Sequence, residues 1–139
     1  MIRWLTYGII LLSGVMLTAC TAATEAGLSE EFDKSVKSYN RMLRWHEIEN
    51  AGVTYIDPKL QEEYLKQAES LKKRGLTFAD FRILTSTCLP ENNSGDVLAE
   101  FDYYMMPSNV IKTRSYRQEW AYQDSLKRWI LKSGLPDFE

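Results

Sequence analysis

Apolar residues recur at helical spacing in two early segments and alternate with polar ones in the segments that follow. From Ser29 to Asn50, Phe32, Val36, Tyr39 and Leu43 fall at helical steps, and Met42, Trp45 and Ile48 widen the stripe. That spacing predicts one amphipathic helix, with Ser29 as N-cap and Glu30, Glu31 and Asp33 at the positive end of its dipole. Asn50-Ala51-Gly52 is expected to stop it. A second helix is predicted from Asp57 as N-cap and Pro58 at the first helical position, with Leu60, Tyr64, Leu65, Ala68 and Leu71 on one face. Lys72-Lys73-Arg74 and Gly75 close it.

Beyond Leu76 the period drops to two. Phe81, Ile83, Thr85, Thr87 and Leu89 alternate, and Pro90 to Gly95 is a turn cluster. Val97, Ala99, Phe101, Tyr103 and Met105 then face one side, with Asp96, Glu100 and Asp102 on the other. After Pro107-Ser108-Asn109 a third strand carries Tyr116, Trp120 and Tyr122 opposite Arg117 and Glu119. A turn near Gln123-Asp124-Ser125 leads to a last strand around Trp129-Ile130-Leu131. Two helices followed by a four-stranded meander predict an α+β domain, with the helix pair packed on one face of an antiparallel sheet.

The N-terminus has a different pattern. Arg3 is followed by an uncharged stretch, Trp4 to Leu17, and by small residues before Cys20. This is the layout of a secretory signal. Leu17-Thr18-Ala19-Cys20 resembles the lipobox of bacterial lipoproteins. The resemblance implies cleavage before Cys20 and a diacylglycerol thioether on its sulfur, often with a further acyl chain on its amine. One acyl chain binds membranes marginally, whereas two or three hold firmly. The expected organisation is a signal peptide at 1–19, a lipidated tether at 20–28 and a single domain at 29–139. Thr21, rather than aspartate, after the cysteine implies export to the outer membrane, facing the periplasm, in a Gram-negative host.

Charge and cysteine content narrow the function classes. Arg3 is the only charged residue among the first 19, so 16 of the 17 basic side chains and all 19 acidic ones belong to the remainder. That balance argues against a nucleic-acid partner and against electrostatic membrane binding. With Cys20 lipidated, Cys88 is the sole thiol left and is expected to be a buried, inert one.

The run Glu119-Trp120-Ala121-Tyr122-Gln123-Asp124-Ser125-Leu126-Lys127-Arg128-Trp129-Ile130 is similar to the closing hairpin of the nuclear-transport-factor-two-like superfamily, which includes ketosteroid isomerase and scytalone dehydratase. Leu135-Pro136-Asp137-Phe138 resembles the tail that often follows it. The resemblance implies a cone-shaped fold whose curved sheet and helices enclose an apolar pocket. It also implies a further helix or short strand near the start, for which the pattern here marks no separate segment.

Candidate chemistry is sparse. Within such a pocket His46 or Asp102 is the weak candidate for a general base, with Glu100 beside it in sequence. The alternation of Asp102 and Glu100 with Phe101 and Tyr103 favours a solvated face instead. Tyr103, Tyr104, Tyr116, Trp120 and Tyr122 form a candidate ligand or partner surface, against the alternative that they build the core. One histidine and one free cysteine match no metal-site spacing, and no cofactor motif occurs. The expectation is a membrane-anchored envelope lipoprotein, a non-enzymatic binding or accessory module for a protein partner or a small apolar ligand. A small isomerase- or hydrolase-like enzyme is the alternative.

Overall fold

The computed structural model describes residues 24–139. The expected signal peptide, Cys20 and the first residues of the expected tether lie outside the described residues. Three helices precede the sheet, in the order α1 (Glu25–Arg44), α2 (Ile48–Tyr55) and α3 (Gln61–Lys73). Four strands follow, β1 (Leu76–Leu89), β2 (Ser94–Met105), β3 (Lys112–Gln123) and β4 (Arg128–Leu131). They form one antiparallel sheet in sequence order, with the helices on one face. Among the described residues no helix is long and apolar enough to cross a membrane.

Helix α1 starts before Ser29. The Thr24 hydroxyl accepts from the Gly27 amide at 3.1 Å, and Leu28 is already buried. Residues 25–28, expected as tether, are therefore helix, because Thr24 supplies the N-cap and Glu25 the acidic first turn. The stripe Phe32, Val36, Tyr39 and Leu43 is buried as its spacing predicts.

The single helix expected to reach Asn50 is two helices. His46 sits in the left-handed region at φ 65°. The amide of His46 donates to the Leu43 carbonyl at 3.1 Å and that of Glu47 to the Met42 carbonyl at 2.9 Å. These paired bonds are those of a left-handed helix stop, which turns the chain without orphaning the last carbonyls of α1. Residues Ile48 and Ala51 of α2 then enter the core from a new direction.

Asp57 caps a turn rather than an α-helix. Its carboxylate accepts from the Lys59 amide at 3.0 Å, its carbonyl accepts from the Leu60 amide at 2.8 Å, and α3 begins four residues later at Gln61. At the far end of α3, Gly75 takes φ 80° as a helix stop should, and Met106 packs where a side chain at position 75 would stand.

The sheet follows the predicted alternation on β2 and β3. Val97, Ala99, Phe101, Tyr103, Tyr116 and Trp120 are buried on the helix-facing side. Strand β1 departs from it, since Ala79 and Leu84 are skipped in the register with β2. Each extra residue flips the side chains beyond it to the other face. Phe81 and Ile83 therefore lean on the core, but Thr85, Thr87 and Leu89 are exposed, and Cys88 takes the half-buried place. At the β1–β2 end the ring of Phe32 fills the space a side chain on Gly95 would need, in edge contact with Trp120 and Trp129. The tail lies over the same face, with Phe138 against Phe78 and Tyr103, and with Gln67 and Arg74 donating to its carbonyls.

Candidate functional site

The space between helices and sheet, where an enclosed pocket was expected, is filled by rings and by two polar clusters. Tyr39 projects from α1 onto the sheet because it shares the stripe with Val36 and Leu43. Its hydroxyl lies 2.9 Å from that of Tyr116 on β3 and 3.2 Å from that of Tyr64 on α3. The Tyr64 hydroxyl is also within 3.1 Å of the Ile48 carbonyl, to which it donates. All three rings are buried, and burial away from water pushes each phenol well above its ordinary value. The phenols stay neutral and are consumed by one another.

The second cluster is a reciprocal amide pair. Asn40 donates to the Gln118 side-chain carbonyl at 3.2 Å and to the Val36 backbone carbonyl at 2.8 Å. Gln118 donates back to Asn40 Oδ1 at 2.7 Å, and Trp120 Nε1 approaches Gln118 Oε1 at 3.4 Å. Both amides are fully buried. Every buried side-chain nitrogen or oxygen among the described residues has a partner.

The acid–base candidates lie apart from this interior and from each other. His46 is exposed at the α1–α2 corner, where its role is the left-handed turn. Asp102 lies on the outer face of the sheet. Arg82 holds it through two bonds of 2.8 and 3.1 Å, and Thr113 donates at 2.7 Å. Those donors, Arg82 first, lower its carboxyl to about 2, far from the range of an efficient general base at neutral pH. Glu100 shares the same guanidinium at 2.6 Å. Ion pairing of Arg82 with two carboxylates across neighbouring strands is the solvated-face arrangement that the alternation predicts.

The aromatic candidates do not share one surface. Tyr103, Tyr116 and Trp120 are buried in the core, and Tyr122 is half-buried against Trp129 on the same side. Tyr104 is half-buried, and the alternation of β2 turns it to the outer face. Cys88 is half-buried beside the Ser29 hydroxyl at 3.8 Å, and burial raises its thiol above the usual range. An open recess of about 440 Å³ lies at the β1–β2 end, edged by Thr87, Leu89, Asp96, Glu119 and Lys132. Lys132 is tied across 2.6 Å to Asp57, whose carboxyl it lowers.

Sequence patterning missed Asn40, Gln118 and the Tyr39–Tyr64–Tyr116 contact. A signal for the first two was present. Asn40 stands four residues after Val36 on the apolar stripe, and Gln118 stands between Tyr116 and Trp120 on the inward side of its strand. Polar residues at core-facing positions need partners, and these two supply each other's.

No family model matches the chain, and no curated protein matches it. Among solved structures, a SEC-C motif containing protein from Rhodopseudomonas palustris is similar in fold, with TM-score 0.58 and 13% identity over 75% of this chain and 77% of that one. The intermembrane space region of the chloroplast protein ARC6 aligns with TM-score 0.42 and 16% identity over 74% of this chain and 97% of that one.

Proposed function

We propose that the chain is an envelope lipoprotein, held to the membrane by acyl chains on Cys20, whose α+β domain is a non-enzymatic binding or accessory module. The observation that carries the anchoring half is the segment Leu17-Thr18-Ala19-Cys20 at the end of an uncharged stretch. Thr21 after the cysteine supports an outer-membrane destination facing the periplasm. The accessory half is supported by the way the polar groups are spent. The buried phenols and amides pair among themselves, and on the outer face Glu100 and Asp102 pair with Arg82 and Asp96 with Arg117.

The finer fold reading is the cone of the nuclear-transport-factor-two-like superfamily. It is supported by three helices before a meander of four strands, with α2 in the place of that superfamily's additional early element.

Feeding cells an alkyne-bearing palmitate analogue tests the anchor. The wild-type chain and a Cys88→Ala variant take up the label, and Cys20→Ala does not. Label that persists in Cys20→Ala, or that never appears on the wild type, contradicts the reading.

A further inference from the structure

Beyond β4 the chain forms no further helix or strand. Among the described residues, its last main-chain bond to the sheet is that of the Lys132 amide to the Glu119 carbonyl at 2.7 Å. Ser133 bends the chain, and Gly134 is exposed, with nothing within 4 Å of the place a side chain would take. From there to Glu139 the segment is held by side chains of the elements around it. Gln67 on α3 donates to the Leu135 and Pro136 carbonyls at 3.2 and 3.3 Å, and Arg74 at the end of α3 donates to the Phe138 carbonyl at 2.9 Å. Tyr103 on β2 and Lys112 on β3 reach the main-chain oxygen of Glu139 at 3.0 and 2.8 Å. Helix α3 and the sheet are thus the two walls of a groove in which residues 135–139 lie.

Two features set this segment apart from ordinary core. Each of these polar contacts falls on a main-chain oxygen, so each is one that any peptide backbone can make. Identity is read only through Leu135 and Phe138, whose side chains are buried, with the Phe138 ring edge-on to Tyr103 at 4.9 Å and to Phe78 at 5.3 Å. Asp137 and Glu139 stay exposed on either side of Phe138, beside the carbonyls that Arg74 and Lys112 hold. The second feature is space. A recess of about 170 Å³ remains between α3 and the start of the segment, edged by Leu60, Tyr64, Gln67, Gly134 and Leu135. The groove is therefore wider than what lies in it. Its floor also has contacts of its own, since Phe78 packs on Phe101 at 5.0 Å.

We propose that this groove is a peptide site for an extended segment of another protein, with an aromatic anchor between carboxylates, and that residues 134–139 occupy it as a strap which the incoming segment displaces. The chemistry of the occupant is read from the strap itself. Donors to main-chain oxygens supply affinity, the Phe78–Tyr103 pocket fixes register on one aromatic ring, and Arg74 and Lys112 favour acidic neighbours. Gly134 is the hinge, because the strap can swing there without breaking a bond of the sheet ladder. The tethered strap competes at an effective concentration in the millimolar range, so weak peptides are kept out. This inference rests on the reading of the domain as a binding module and names its site; it is independent of the anchor at Cys20.

Fluorine NMR of the full-length chain in detergent, with 4-fluorophenylalanine at position 138, tests this. One resonance is expected, displaced by the Phe78 and Tyr103 rings. A synthetic peptide of residues 133–139 at millimolar concentration should convert it saturably to the position seen in the unfolded chain, and the same peptide with Phe138→Ala should not. In a full-length Phe138→Ala variant whose circular dichroism matches the wild type, the fluorophore-labelled peptide should bind with a midpoint about tenfold lower than in the wild type, because the strap competes less. Asp137→Lys and Glu139→Lys in the peptide should weaken that binding. A fluorine spectrum unchanged at every peptide concentration overturns the proposal, whether or not the Phe138→Ala variant folds. Equal binding of the lysine-bearing peptide overturns the choice of an acidic partner. The mass of Cys20 in the same preparation decides the anchor separately, and failure of the peptide to bind leaves the accessory reading to another surface of the domain.

Discussion

At the scale of single residues, the buried amide pair and the phenol cluster are where specificity is held. Removing one amide strands the other. Asn40→Leu should cost about 1–3 kcal/mol, the desolvation penalty of an unsatisfied Gln118. In the double variant Asn40→Leu, Gln118→Leu no lone amide remains, so its loss should be smaller than the sum of the two single losses. Urea unfolding of the four proteins reads this coupling, and strict additivity would show that the pair is not coupled. The phenols give a pH dependence. Tyr39, Tyr64 and Tyr116 are raised by burial when folded and are ordinary when unfolded, so the unfolded chain releases their protons first. Their contribution is therefore complete below about pH 10, the ordinary tyrosine value, and declines above it. Ultraviolet titration should find these three silent until the fold is lost, with ionisation and unfolding coincident.

At the scale of elements, the α1–α2 corner shows why one candidate looked catalytic and is structural. A lone histidine between a tryptophan and a glutamate invites a chemical role, yet position 46 is the left-handed residue that ends α1. Glycine adopts that conformation at no steric cost, so His46→Gly should raise stability, by up to about 1 kcal/mol. A β-branched residue such as valine should lower it. Thermal melts check both, and a melting point lowered by glycine would assign the imidazole a stabilising contact of its own.

This corner was illegible in the sequence for a physical reason. Trp45 and Ile48 continue the apolar period across it, so periodicity alone reads a single helix, and histidine is a weak marker of a left-handed stop. The Gly75 stop was legible because glycine is the strong marker. The same contrast runs through the sheet. Strands β2 and β3 keep strict alternation and were readable residue by residue, Tyr116 and Trp120 included. Strand β1 contains two bulges, and nothing in Ala79 or Leu84 announces them, so its outer half was assigned to the wrong face. Of the candidate site residues, the solvated setting of Asp102 and Glu100 followed from alternation. Whether the aromatic residues lined a pocket or filled a core depended on how tightly α1 closes on the sheet, which no local pattern encodes.

At the scale of the whole molecule, the proposed membrane address at Cys20 precedes a single α+β domain whose interior is filled by its own rings and amides. Thr24, the described residue nearest Cys20 in sequence, caps α1 at the end of the domain where Ser29 meets Cys88. An anchor at Cys20 would hold that end of the domain toward the bilayer, because the four residues to Thr24 span at most about 14 Å. The most direct measurement is the intact mass of the chain extracted from membranes with detergent. The account predicts a polypeptide beginning at Cys20, heavier than residues 20–139 by a diacylglyceryl group, or by that group and one further acyl chain. A mass equal to bare residues 20–139, or a chain retaining residues 1–19, would contradict it.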